Sequence, residues 1–441
     1  MSKEPTRFKQ TEIGELPEEW EVVRLEDVAR VFSGSSAPQG REYFENGIFP
    51  FVRVQDLARY GQTRCLTKVT DKVNERAVQE HHMVLARKGT ILFPKSGAAL
   101  EKNHRAILGV DAYIVSHLAA VEANPEKVDN EFLFWWLCCI DMASLNPNPS
   151  YPSIRLEEIK NLTIPLPPLE EQKRIAGVLR LVDRIEEETR RIVSIYERAK
   201  RFALKRLLTR GIGHTRFKQT EIGELPEEWE VLRLEDVSKI ETGRRMKGGA
   251  QSSGQVLSLG GEHIGEFGNI VLKNPKYISK EFYDKMKKGK LDIGDVIMCK
   301  DGAKTGKVGY IKEKYAEFMA VNEHVFIIRS KDSNILINQF LFYVLFSEIG
   351  QSQIKSSFHG LIGGITYEDL KSFLIPLPPL EEQKQIAEML GTIDAAIENE
   401  RRYLGVLEKC KRWLLDNLLT GKIRLSPEVD EILKGVLPNA F

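Results

Sequence analysis

The sequence predicts a mixed α/β (α+β) protein arranged as a pseudo-twofold tandem repeat: two globular domains separated by two long antiparallel amphipathic helices. Three observations predict it. The decapeptide IPLPPLEEQK occupies Ile164–Lys173 and returns letter for letter at Ile375–Lys384. A leader, TRFKQTEIGELPEEWEV, occupies Thr6–Val22 and again Thr215–Val231, with RLEDV at Arg24–Val28 and Arg233–Val237. A charged stretch with apolar residues at helical spacing follows each decapeptide. Identity at offsets of 209 residues for the leader and 211 for the decapeptide marks a duplicated structural unit. The expected boundaries are a first globular domain at 1–165, a first helix at 166–211, a second domain at 212–376, a second helix at 377–425 and a tail at 426–441.

Between leader and decapeptide the two halves share only a skeleton. GTILFPKSG (Gly89–Gly97) echoes GDVIMCKDG (Gly294–Gly302), and NEFLFWWL (Asn130–Leu137) echoes NQFLFYVL (Asn338–Leu345). A skeleton that persists while its loops differ fits one fold used twice to read two different things, because loops vary freely on a rigid scaffold.

The helices are delimited by local signals. Pro168 sits where a helix tolerates proline, Glu170 and Glu171 suit the first turn, and Gly211 follows the end. The first stripe runs through Ile175, Leu179, Val182, Ile185, Thr189, Ile192, Tyr196, Ala199, Ala203 and Leu207. The second runs through Ile386, Leu390, Ile393, Ile397, Leu404, Leu407, Leu414 and Leu418, ending at Gly421. Each helix has a length of roughly 60 Å at 1.5 Å per residue. Such a helix cannot bury its stripe alone, so the two are expected to bury each other's. Tandem duplication favours an antiparallel pair within the chain, at high effective concentration; a homodimerising coiled coil is the alternative.

The 441 residues allow two or three domains. A net charge of +1 gives no global basic field, so any nucleic-acid patch is local. Five cysteines without a C-x-x-C pair argue against a disulfide framework and a structural zinc site. The polar start MSKEPTRFKQ is not a signal peptide, and FLFWWLCCI (Phe132–Ile140) is too short to span a bilayer. A cytoplasmic protein with no membrane association is expected.

Local basicity appears in the second middle region, where Lys239–Arg329 holds 17 Lys and Arg against 11 Asp and Glu. Basic loops favour phosphate contacts. In CKDGAKTGKVGY (Cys299–Tyr310), Lys300, Lys304, Thr305 and Lys307 can meet phosphates, and Asp301 can accept from a cytosine amino group. TGRRMKGG (Thr242–Gly249) adds Arg244 and Arg245, each able to pair with guanine. The matching loops of the first half are FPKSGAALEKNHRAI (Phe93–Ile107), with Lys95, Ser96, Lys102, Asn103 and Arg105, and VFSGSSAPQGREYF (Val31–Phe44), with Ser35, Gln39 and Arg41.

Catalytic motifs fail on inspection. GAKTGKV falls one residue short of a phosphate-binding loop and has Val308 where magnesium needs a hydroxyl. NPNPSY (Asn146–Tyr151) is similar to the Asn-Pro-Pro-aromatic motif of amino-methyltransferases, but its extra residues break the turn. No strand-to-helix glycine loop suits S-adenosylmethionine. The histidines are scattered apart from His81-His82 and form no metal motif. Trp135 and Trp136 read as core, and Trp20 and Trp229 as anchors within the leader. No catalytic residues and no metal site are expected.

The paired IPLPPLEEQK…IA…L segments, the LPEEWEV leaders and the helix ends LLTRG and LLTGK resemble the specificity subunit of a Type I restriction-modification system. The resemblance covers nearly the whole chain. It implies two target recognition domains, each reading one half of a bipartite, asymmetric site on double-stranded DNA. It implies that the helices at Pro168–Thr209 and Pro379–Thr420 set the spacer and help dock two methyltransferase (modification) subunits, with restriction/translocase subunits joining that core. S-adenosylmethionine, ATP and Mg2+ would then belong to the partners, with no cofactor on this chain. A self-sufficient nuclease or methyltransferase, and a coiled-coil interaction protein without DNA binding, are the alternatives.

Overall fold

The computed structural model describes residues 7–60, 64–146, 152–358 and 364–436. Thr6 of the first leader and residues 147–151 of the NPNPSY segment therefore lie outside the described residues. The chain forms two compact units, one of Met1–Arg191 with Arg401–Phe441 and one of Ile192–Glu400. Each long helix thus contributes one end to each unit.

The duplicated letters build one joint, present in each unit. In the first, the leader makes a ribbon, Phe8–Thr11 against Gly14–Pro17, and then strand Glu21–Arg24. That strand pairs antiparallel with Thr163–Leu166 at the front of the decapeptide, Ile164 opposite Val23. In the second unit, Phe217–Thr220 pairs with Gly223–Pro226, and Glu230–Arg233 with Leu374–Leu377. Prolines fit this two-stranded arrangement because each strand lies on an edge. Trp20 and Trp229 are fully buried, and their indole N–H groups donate to Glu171 and Glu382 at 3.2 and 3.0 Å. Gln172 accepts from the Asp129 amide at 2.7 Å and donates to the Pro167 carbonyl at 2.8 Å; Gln383 does the same with Ile337 and Pro378 at 3.0 and 2.9 Å. The repeated Glu-Gln pair thus satisfies polar groups that burial would otherwise leave costly.

Each middle region is a two-sheet sandwich with helices packed on it. In the first unit a five-stranded sheet has the order Ala29–Ser33, Leu118–Ala123, Ile91–Pro94, Ala106–Leu108, Cys65–Leu66. A four-stranded sheet has the order Asp71–Val73, Phe49–Val52, Ala112–Ile114, Leu85–Ala86. In the second unit the sheets are Ser238–Thr242, Val325–Ser330, Val296–Cys299, Val308–Tyr310, and Lys276–Ile278, Val256–Leu259, Phe318–Val321. The helices Asn130–Cys139 and Asn338–Phe346, apolar on nearly every side, are buried against the larger sheets, as a helix without a polar face must be. Trp135 is core as expected and Trp136 is partly buried beside it.

The long helices span Leu169–Arg210 and Leu380–Leu418, within the expected 166–211 and 377–425. Helix Val429–Val436 follows in the region expected as a tail, with Leu433 buried. In the first unit the two helix segments run in opposite directions: Asp183 meets Lys411 at 2.5 Å and Arg190 meets Glu408 at 2.8 Å. In the second, Lys200 meets Asp394 at 2.5 Å. Ile175, Leu179, Ile386, Leu390, Ile397 and Leu407 are buried, with Val182, Ile393 and Leu404 partly so. Ile192 and Tyr196 are corrections, exposed at 38% and 36%. The buried row on the first helix instead passes through Leu179, Glu186, Val193, Lys200 and Leu207, a seven-residue repeat. Hydrophobic periodicity overlooked it because two members are charged. Burial alone would lower the Lys411 pKa, but the Asp183 and Glu186 carboxylates hold it above the ordinary lysine value.

Candidate nucleic-acid interface

In each unit three segments meet at one end of the larger sheet: the stretch after its first strand, the loop after its third, and the turn before its central strand. The central strand of the three, second in each sheet order, is Leu118–Ala123 in the first unit and Val325–Ser330 in the second, and register equates Leu118 with Val325 and Pro94 with Cys299. The framework is the same in both. Gly34 and Gly243 each leave the first strand so close to a neighbouring backbone that an added Cβ would lie 1.9 Å from the Ile114 oxygen or 2.0 Å from that of Val321. Any side chain at either glycine would displace a strand. The Lys95 and Lys300 amides each donate at 2.9 Å to the carbonyls of His117 and His324, and their own carbonyls accept from Ile154 and Ile365. Gly97 and Gly302 follow with positive φ.

On this common frame the expected residues fall into two groups. Arg244 and Arg245 are exposed at the loop surface, with the Arg245 guanidinium 3.6 Å from Glu323. Lys304 is exposed, and Lys300, Asp301, Thr305 and Lys307 are partly so. The Lys300 ammonium lies 3.9 Å from Asp301, and the Thr305 hydroxyl donates to the Gly302 carbonyl at 2.6 Å, closing the loop. In the first unit Gln39, Arg41 and Lys102 are exposed and Lys95 partly so.

The remaining four help shape the loops. Ser35 accepts from the Val84 amide at 3.0 Å. Ser96 is buried and bonded to the His117 ring at 2.7 Å. Asn103 adopts positive φ and ties the loop to Asp141 and Met142. Arg105 departs furthest from an expected base contact: it is 7% exposed, and its guanidinium donates to the Asn103 and Ile140 carbonyls. Burial lowers its pKa from the usual arginine value. Its charge is committed to holding the loop against the end of helix Asn130–Cys139.

Sequence reasoning missed His117 and His324. The signal was available: each precedes the apolar strand that pairs with the lysine-bearing one, in SHLAAVEA and EHVFIIRS. Among the described residues no cluster of three or more His, Cys, Asp or Glu could hold a metal ion, and no helix is long and apolar enough to cross a membrane.

Comparison with known proteins agrees with this doubled organisation. A family model described as Type I restriction modification DNA specificity domain matches twice, at residues 17–196 and 226–409. The chain is 31% identical over 431 residues to the Type I restriction enzyme MjaVIII specificity subunit of Methanocaldococcus jannaschii, covering 95% of this chain and 96% of that one. It is also 31% identical over 437 residues to the putative type I restriction enzyme MjaX specificity subunit of the same organism, covering 95% and 97%. In fold it matches the crystal structure of a Type-I restriction-modification system S subunit from M. genitalium, with a TM-score of 0.60 at 12% identity over 90% of this chain and 96% of that one. A joint repeated letter for letter, a loop frame repeated with different side chains and a family match to each half lead to one conclusion: the chain belongs to the family of Type I restriction-modification DNA specificity domains.

Proposed function

We propose that the chain reads a bipartite, asymmetric DNA site, one half-site per unit, and directs methylation and cleavage carried out by its partners. It is a non-catalytic subunit. The observation that carries the reading is the repeated three-segment loop frame with unlike side chains: Arg244, Arg245 and the Lys300–Lys307 loop in one unit, Gln39, Arg41, Lys95 and Lys102 in the other. Two copies of one frame with different chemistry suit two unlike half-sites.

Two methyltransferase subunits and the restriction/translocase subunits complete the proposed assembly, in the cytoplasm. They supply the S-adenosylmethionine, ATP and Mg2+ chemistry. The long helices, shared by both units, set the spacer between half-sites. Their exposed Phe202 and Met389 in the second unit, and Tyr403, Val406 and Trp413 in the first, favour a partner surface, because a solvated coiled-coil face would be polar there.

The test is titration of a random DNA pool with the complex of this chain and its methyltransferase at rising salt. A selected sequence and a steep loss of affinity with salt are expected. Absence of any selected sequence at low salt overturns the reading.

A further inference from the structure

The loop frame carries a repeated feature with no structural role that requires its exposure. In both units a histidine stands at the last position before the central strand. Its backbone carbonyl takes the lysine amide of the neighbouring loop, and its ring Nδ1 is bonded to the side chain of the residue after that lysine. In the first unit that partner is the Ser96 hydroxyl at 2.7 Å; in the second it is the Asp301 carboxylate at 2.6 Å. Both rings are exposed with Nδ1 already bonded, so Nε2 is the edge that can meet a ligand, in the second unit beside Glu323 at 3.5 Å.

The surroundings indicate what that edge meets. His324 Nε2 lies 3.5 Å from Glu323, which lies 3.6 Å from Arg245, so a chain of polar groups joins all three loop segments. Carboxylate oxygens on both sides of the ring suit the amino groups of base edges, each also near a cation, Lys300 at 3.9 Å from Asp301 and Arg245 at 3.6 Å from Glu323. The first-unit ring has the neutral Ser96 instead. A carboxylate only accepts, so the Asp301-bound Nδ1 must donate; a hydroxyl does either, so the His117 tautomer can follow its ligand.

We propose that His117 and His324 are equivalent base-contacting residues, one per half-site, and that Ser96 and Asp301 set what each ring offers. This rests on the DNA-reading function above.

The experiment measures, for complexes carrying His117→Ala, His324→Ala, His324→Gln or Asp301→Ser, relative affinity for every single-base variant of the selected site. His324→Ala is expected to reduce discrimination about fivefold or more at one base pair of one half-site, leaving the other half-site unchanged. His117→Ala should do the same in the opposite half-site. Asp301→Ser should shift the preferred base at the His324 position, and His324→Gln should retain part of the preference through its amide. Uniform weakening without loss of base preference would show a phosphate contact or a brace, and unchanged discrimination would show no contact; either overturns the assignment. Thermal unfolding of each complex separates a misfolded variant from a mute one. If the unmutated complex selects no sequence, the DNA-reading function itself fails, and the histidine assignment with it.

Discussion

The joint and the reading loops lie within the same unit, yet duplication has treated them in opposite ways. The joint of leader, decapeptide and helix start is repeated with the same letters and the same bonds: Trp20 with Glu171 and Trp229 with Glu382, Gln172 with Asp129 and Gln383 with Ile337. The loops keep the same backbone crossings at Gly34 and Gly243 but change nearly every exposed side chain. The joint must satisfy its buried polar groups, with Glu171 also taking Arg424 and Glu382 also taking His214, whereas the loops need only hold their backbone. A change in the joint should therefore act alike in both units and register as stability. A change in the loops should act in one unit and register as specificity.

The largest expected effect lies in the joint. Trp20→Ala and Trp229→Ala should each cost about 3–5 kcal/mol, since each removes a fully buried indole and its hydrogen bond to Glu171 or Glu382. Chemical denaturation should show similar losses for the two; a large loss for one alone would break the equivalence of the joints.

The helix seam comes next, and there the units differ. Lys411 neutralises Asp183 and Glu186, while Lys200 faces Asp394, which also accepts from the Tyr343 hydroxyl at 2.8 Å. Removing either lysine leaves buried negative charge, at a cost of about 3–5 kcal/mol. Lys411→Met should be the worse of the two, because two carboxylates lose their lysine, with Arg190 left 3.8 Å from Glu186, whereas Asp394 keeps the tyrosine. Replacing Lys200 and Asp394 together by apolar residues should recover most of the loss in denaturation midpoint.

A smaller effect is expected in the loops. Arg244→Ala and Arg245→Ala should leave stability within about 0.5 kcal/mol of the parent, as exposed positions do. They should cost about 1–3 kcal/mol of discrimination per lost guanine contact, in one half-site only. Equal loss in both half-sites, measured by competition binding, would remove these arginines from base reading. Last, one heptad added to both long helices should alter the preferred spacer and leave the half-site bases as they were.

The duplicated architecture was legible because letters repeat and helix signals at Pro168, Glu170 and Gly211 are local. The helix register was not, in its middle third. Ile192 and Tyr196 fit an apolar stripe, but the seam takes Val193 and Lys200, and no hydrophobic period reveals a buried lysine whose partner, Asp394, is almost two hundred residues away. The repeat did hold the clue, since Lys200 and Asp183 recur as Lys411 and Asp394 at the decapeptide offset. In the reading loops residue type showed where basic side chains cluster. It could not show that Arg105 turns inward to two carbonyls while His117, passed over as scattered, turns outward. Those outcomes depend on which strands become neighbours.

Methylation mapping of a genome expressing this chain with its methyltransferase and restriction partners tests the central claim most directly. Two unlike half-sites separated by a spacer of fixed length are predicted, with Arg244→Ala plus Arg245→Ala relaxing one of them. A palindromic or continuous motif, or relaxation of both half-sites together, would contradict it.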